Sequence, residues 1–142
     1  MSFFTSLAVS GSGLASERLR VELASANLAN ANSTRTVEGG PYRRRDAIIQ
    51  AVPLGGGFGS DLDRAIRGVQ VRGVRIDPSE PREIFDPGHP DADARGIVKV
   101  PNVNVVEELV NLRNAQRSFE ANLAALNVNR ELAQRALRIG RA

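Results

Sequence analysis

Apolar positions in the last forty residues of the chain fall on a seven-residue repeat. Leu109, Gln116, Leu123, Arg130 and Leu137 share one register, and Leu112, Phe119, Leu126 and Ala133 follow three residues behind. This a/d spacing predicts a helix that packs lengthwise along other helices. No Pro or Gly interrupts it from Val105 to Ile139. Asn104 is placed to cap its start, with Glu107 as the capping-box partner. Gly140 stands where a left-handed C-cap is expected, and Arg135, Arg138 and Arg141 suit the negative end of the helix dipole. At about 1.5 Å per residue the rod is roughly 50 Å long. A helix of that length needs a partner along its whole extent, and the chain has little material to provide one.

A second long helix is predicted over residues 2–30. Leu7, Leu14, Val21 and Leu28 recur every seven residues, and Phe4, Ala8, Ala15 and Ala24 widen the stripe. Gly11 and Gly13 each cost about 1 kcal/mol relative to Ala inside a helix. They mark either a hinge or a close approach by another backbone, and the small neighbours Ser10 and Ser12 favour the approach. At the end of this helix stand Asn27, Asn30 and Asn32. Asparagine is unhelpful inside a helix and suits its terminus, where it bonds free carbonyls. It also serves as a buried polar residue fixing register against a neighbour. Spacing leaves both readings open.

Between the helices the period changes from seven to two. Pro and Gly rise, and β-branched residues cluster in short runs at residues 42–52, 69–76, 83–85 and 97–100. The alternation Val69, Val71 slips at Gly73 before Val74, Ile76, where a bulge fits. Residues 55–59 read as a flexible glycine loop. The expected fold is therefore mainly α with a small β-rich insert. A helix over residues 1–34 and another over 103–142 pack as an antiparallel coiled-coil pair, with short strands over 35–102 between them.

Composition narrows the chemistry more than the fold. The 142 residues carry a net charge of +3, almost wholly through Arg, since Lys99 is the only lysine. Acidic residues nearly match the basic ones and the bases are scattered, which reads as solvated surface charge before it reads as a nucleic-acid footprint. With no cysteine there is no disulfide, thiol nucleophile or thiolate metal site. No apolar run reaches the roughly 18 residues of a membrane span. The start lacks the basic segment of an ordinary signal peptide.

Sites that resemble chemistry fail on inspection. The glycine run lacks the Lys-Ser/Thr ending of a phosphate loop. Asp91-Ala92-Asp93-Ala94-Arg95-Gly96 imitates half a calcium loop, but Arg95 and Asn102 occupy ligand positions. His89, the only histidine, sits between Gly88 and Pro90 as a turn residue and has no nucleophile assigned to it. Arg43-Arg44-Arg45 has no interleaved aromatics and suits an acidic neighbouring subunit as well as a nucleic acid. No catalytic residue, cofactor or metal is expected, and no enzyme.

Asn27-Leu28-Ala29-Asn30-Ala31-Asn32 at the end of an N-terminal helix resembles the Asn-Leu-Ala-Asn signature of bacterial flagellar axial proteins, the rod and hook group. Residues 85–93 (Phe-Asp-Pro-Gly-His-Pro-Asp-Ala-Asp) and 96–104 (Gly-Ile-Val-Lys-Val-Pro-Asn-Val-Asn) narrow the resemblance to proximal rod subunits of the basal body. Residues 107–112 and 115–122 carry it into the C-terminal helix. Ile97 and Val100 stand where the family has aromatics, Phe119 where it has Tyr, and residues 43–45 and 55–59 match nothing in it.

The resemblance implies that the terminal helices pair and stack around a central channel while the insert lies further out. It implies as partners further copies of the chain, other proximal and distal rod subunits, and the protein joining rod to MS ring. Export through the flagellar type III apparatus without a cleaved signal is implied too, and residence in the rod where it crosses the periplasm. Neither nucleic acid nor membrane insertion belongs to this picture. The expected assembly residues are Leu7, Leu14, Val21, Asn27, Leu28 and Asn30 on the first helix. On the second they are Leu109, Leu112, Gln116, Phe119, Leu123, Leu126, Arg130 and Leu137. The rival classes are a generic coiled-coil adaptor, which forms a stable soluble oligomer, and a basic nucleic-acid binder, whose retention falls with salt.

Overall fold

A computed structural model describes residues 3–54 and 66–140 of the chain; the glycine loop at 55–59 and Arg141 lie outside the described residues. Helix α1 spans Phe3–Ala29 and helix α2 spans Val105–Ile139, and between them lie strands β1 (Arg45–Pro53), β2 (Arg67–Ile76), β3 (Arg82–Phe85) and β4 (Ile97–Val100). β1 pairs with β2, and β3 with β4, as separate two-stranded sheets. The expected class, mainly α with two long terminal helices and a small β-rich insert between them, is the class observed.

The chain divides into two compact units. One is built from Met1–Leu19, Ile48–Gly73 and Asn114–Ala142, the other from Arg20–Ala47 and Val74–Arg113. In the first, Gly13 is buried, and a Cβ built on it meets the Asn122 side chain of α2 at 3.0 Å. The expected close approach by another backbone is therefore corrected: what comes close at Gly13 is the Asn122 side chain. A Cβ on Gly11 meets nothing within 4 Å. Ser12 and Ser16 donate their hydroxyls to Val9 O and Gly13 O one turn back. Ser12 Oγ also accepts the Val69 N–H of β2 at 3.1 Å. β2 continues unbroken through Gly73, which has no positive φ. Beyond it Val74 and Ile76 are both exposed, so alternation does not resume after the slip.

The second unit holds most of what anchors the insert. Asn104 Oδ1 accepts the Val106 N–H, starting α2 as expected, while Glu107 points to solvent. β3 and β4 pair with Glu83 opposite Lys99 and Ile84 opposite the buried Val98. The loop joining them is tied by Asp93, whose Oδ1 accepts the Arg95 and Ile97 N–H groups, and it turns at Gly96 (φ 75°). His89 is a turn residue whose Nδ1 accepts the Asp91 N–H at 3.0 Å. Asp91 itself binds Thr34 and Arg35, so the apparent calcium loop spends its carboxylates on its own fold.

One terminal expectation is corrected and one open reading is resolved. Gly140 is not left-handed, and its N–H makes the ordinary helical bond to Ala136 O. The helix therefore needs no glycine cap at that point. At the end of α1 the asparagines divide the two roles left open above. Asn30 is the cap, its Nδ2 donating to Ala26 O at 2.9 Å while its Oδ1 accepts from Ser33. Asn27 turns inward.

Candidate functional site

Asn27 lies on the last turn of α1 and is 1% exposed. An amide side chain offers two N–H donors and two acceptor positions, and all are filled. Nδ2 donates to Arg45 O at 2.9 Å and to Glu108 Oε2 at 3.0 Å. Oδ1 accepts from the Tyr42 hydroxyl at 2.9 Å and from the Arg45 N–H at 3.0 Å. One side chain thus ties α1 to the entry of β1 and to the first turn of α2.

Glu108 is the other centre, 2% exposed. Its Oε1 accepts from Arg44 Nε at 2.7 Å and from Asn111 Nδ2 at 3.3 Å. Asn102 Oδ1 accepts the Arg44 N–H, and Arg44 O accepts the Asp77 N–H. Burial lowers the affinity of the Arg44 guanidinium for its proton. The bond and charge of Glu108, with Asp46 and Asp77, more than offset this and raise its pKa above the usual value. Burial pushes the Tyr42 phenol up, opposed by Arg45 and reinforced by Glu108. No buried side-chain nitrogen or oxygen among the described residues lacks a partner. The chemistry of this cluster is complete as it stands and performs cohesion.

The basic run is therefore divided in use. Arg44 pairs with Glu108, Arg45 lies over the Tyr42 ring at 5.7 Å, and Arg43 is exposed. Sequence reasoning did not single out Tyr42 or Glu108, and it named Arg44 only within the basic run, as suited to an acidic group on a neighbour. The signals were that run, the acidic first turn of α2 and an aromatic just before the first strand.

The predicted seam residues separate by exposure. On α1, Leu7, Leu14, Val21, Leu28 and Asn30 are half-buried, while the fully buried positions are the small Ser10, Gly13, Ser16, Ala24 and Asn27. On α2, Leu112, Gln116, Phe119 and Leu126 are half-buried and Ala115 is fully buried. Arg130, Leu109, Leu123 and Leu137 are exposed, the last two at 42% and 71%. Asn27 differs from the rest of this set in that its amide makes all four of its bonds within the chain. Val106, Val110, Val128, Leu132 and Ile139 are exposed as well. On a helix turning roughly 100° per residue they share a face distinct from the leucine row. No described helix is long and apolar enough to cross a membrane.

Two family profiles match the chain at its ends. One, described as flagella basal body rod protein, covers residues 7–35. The other, the C-terminal region of the flagellar basal body rod FlgEFG proteins, covers residues 94–139. Paired terminal helices with these signatures define a flagellar rod protein. Relatives over nearly the whole length include the flagellar basal-body rod protein FlgC of Borreliella burgdorferi, 39% identical, covering 98% of each chain. The FlgC protein of Bacillus subtilis is 38% identical over 99% of this chain and all of its own. That of Salmonella typhimurium is 37% identical over 93% of each. The chain belongs to the FlgC family of flagellar basal-body rod proteins.

Proposed function

We propose that this chain is a structural subunit of the proximal rod of the bacterial flagellum. It assembles through its terminal helices into a tube that transmits torque and encloses the export channel. The observation that carries the assembly reading is α2 itself. Large apolar side chains lie exposed along it both in the row Leu109, Leu123, Leu137 and on the separate face Val106, Val110, Val128, Leu132, Ile139. A helix apolar on several sides is a helix that is buried in its working state. Its own chain covers only the face containing Glu108, Ala115 and the half-buried residues between them.

The residues assigned to subunit contacts are Leu109, Leu123, Arg130 and Leu137. They are joined by the outer edges of Leu7, Leu14, Val21, Leu28, Asn30, Leu112, Gln116, Phe119 and Leu126. Residues 1–34 and 103–142 form the inner tube, and residues 35–102 face outward. The neighbours are further copies, other proximal and distal rod subunits, and the protein joining rod to MS ring. The subunit reaches them through the flagellar type III export apparatus, without signal cleavage, as a chain whose long seams complete their folding on assembly. Burial of each Leu or Phe in a neighbour contributes roughly 1.5–3 kcal/mol.

Replacement of Leu123 by Asp tests this. The exposed site keeps the variant expressed and the isolated chain within about 0.5 kcal/mol of wild type, while rods and motility are lost. Normal rods and swimming from that variant would remove the seam from the assembly contacts.

A further inference from the structure

We propose that the outer edge of β1 pairs with the outer edge of β3 from a second copy of the chain, so that neighbouring subunits share a sheet. A strand at the edge of a sheet presents N–H and C=O groups to the outside at every second residue. At several places the chain closes these groups itself. On β1 the Arg44 carbonyl and the Leu54 N–H point to β2, so the odd-numbered positions point away from it. Arg45, the first of them, gives both backbone groups to the Asn27 amide. On β2 the outward Val69 N–H goes to Ser12 Oγ, and Arg67, Arg72 and Arg75 charge the strand. On β4 both groups of Ile97 go to Asp93, the N–H to Oδ1 and the carbonyl to the Asp93 N–H.

Two stretches are left without such closure among the described residues. Ile49 and Ala51 are the next outward positions on β1. Glu83 and Phe85 are outward on β3, because the Asp86 N–H points across to Gly96 O in line with β4. Each of these strands has a described strand on one side only. Residues 47–54 carry no charge, and residues 48–51 are all exposed. β3 is exposed at all its positions, Ile84 at 44% and Phe85 at 76%. The Phe85 ring is nonetheless held in place, since a Cβ on Gly96 would meet it at 3.0 Å. An apolar edge that nothing blunts is a template for another strand. Antiparallel pairing sets Ile49 opposite Phe85 and Ala51 opposite Glu83, each exchanging both backbone bonds, with Gln50 opposite Ile84 between them. β1 against β1 of a second copy would close a two-fold dimer. β1 against β3 is head-to-tail and propagates, as the wall of a tube requires. The inference rests on the proposed rod role, which supplies the second copy.

The experiment is disulfide crosslinking in assembled basal bodies. The chain has no cysteine, so introduced thiols report alone. Gln50 and Ile84 form the non-hydrogen-bonded pair, whose Cα atoms stand about 4.5 Å apart, within reach of a disulfide. Basal bodies from Gln50→Cys/Ile84→Cys cells, oxidised and run without reductant, are expected to give a ladder of multimers of the chain that collapses on reduction. Neither single variant gives one. Rods that contain the double variant and show no ladder overturn the pairing, and so does a dimer from Gln50→Cys alone. Should the double variant be kept out of rods, a photoreactive benzophenone residue in place of Gln50 reads the same contact. An adduct on residues 82–85 of a second copy supports the pairing; an adduct elsewhere, on another protein, or none overturns it. Absence of the unaltered chain from purified rods is a different result, since it removes the rod role and the pairing with it.

Discussion

Glu108 accepts three hydrogen bonds while almost wholly enclosed. Truncation to Ala strands the Arg44 guanidinium and one Asn27 N–H, and the expected cost is about 3 kcal/mol in denaturant unfolding of the isolated chain. Tyr42→Phe removes one bond from an oxygen that keeps the Arg45 N–H, so its cost is nearer 1 kcal/mol. Equal losses from the two would contradict the geometry. Asp93 supplies a pH dependence of known sign. Its carboxyl lies below the ordinary 3.8, chiefly through the Ile97 N–H bond, with burial opposing and the Arg95 bonds and charge assisting. A carboxyl depressed in the folded state contributes stability above its unfolded value and loses it as pH falls through the folded one. The loop between β3 and β4 should therefore loosen below a pH of about 3.8, with the Arg95 and Ile97 amide resonances the first to report it in an NMR titration.

Both helices were legible in the sequence because their seven-residue period survives over most of their length, and the strands because the period changes to two between them. The face each helix gives its partner was less legible. The leucine heptad through 109, 123 and 137 marks where large side chains are available, whereas the intrachain face runs one residue earlier, through Glu108 and Ala115. Size draws the eye to side chains the chain leaves exposed or half-covered; the positions it buries on α1 include the small Ser10, Gly13, Ser16 and Ala24. The two helical glycines separate in the same manner. Gly11→Ala meets open space and gains about 1 kcal/mol of helix propensity, raising helicity by circular dichroism. Gly13→Val must displace Asn122 and lowers it.

At the scale of the whole molecule, family and role were legible because they reside in local motifs at the ends of the chain. The buried cluster was not, since Asn27 and Glu108 stand 81 residues apart and no periodicity links them. Three asparagines close together at positions 27, 30 and 32 gave one cap and one buried amide with no local sign of which was which. A rotating shaft loads its subunits in shear, and the placement of those bonds sets how the load is borne. Of the four bonds of Asn27, the one to Glu108 crosses to α2 and is loaded directly when α1 slides along it, while the bonds to Tyr42 and Arg45 hold α1 to the entry of β1. Subunits altered at Asn27 should consequently fail under high rotational drag before they fail at rest.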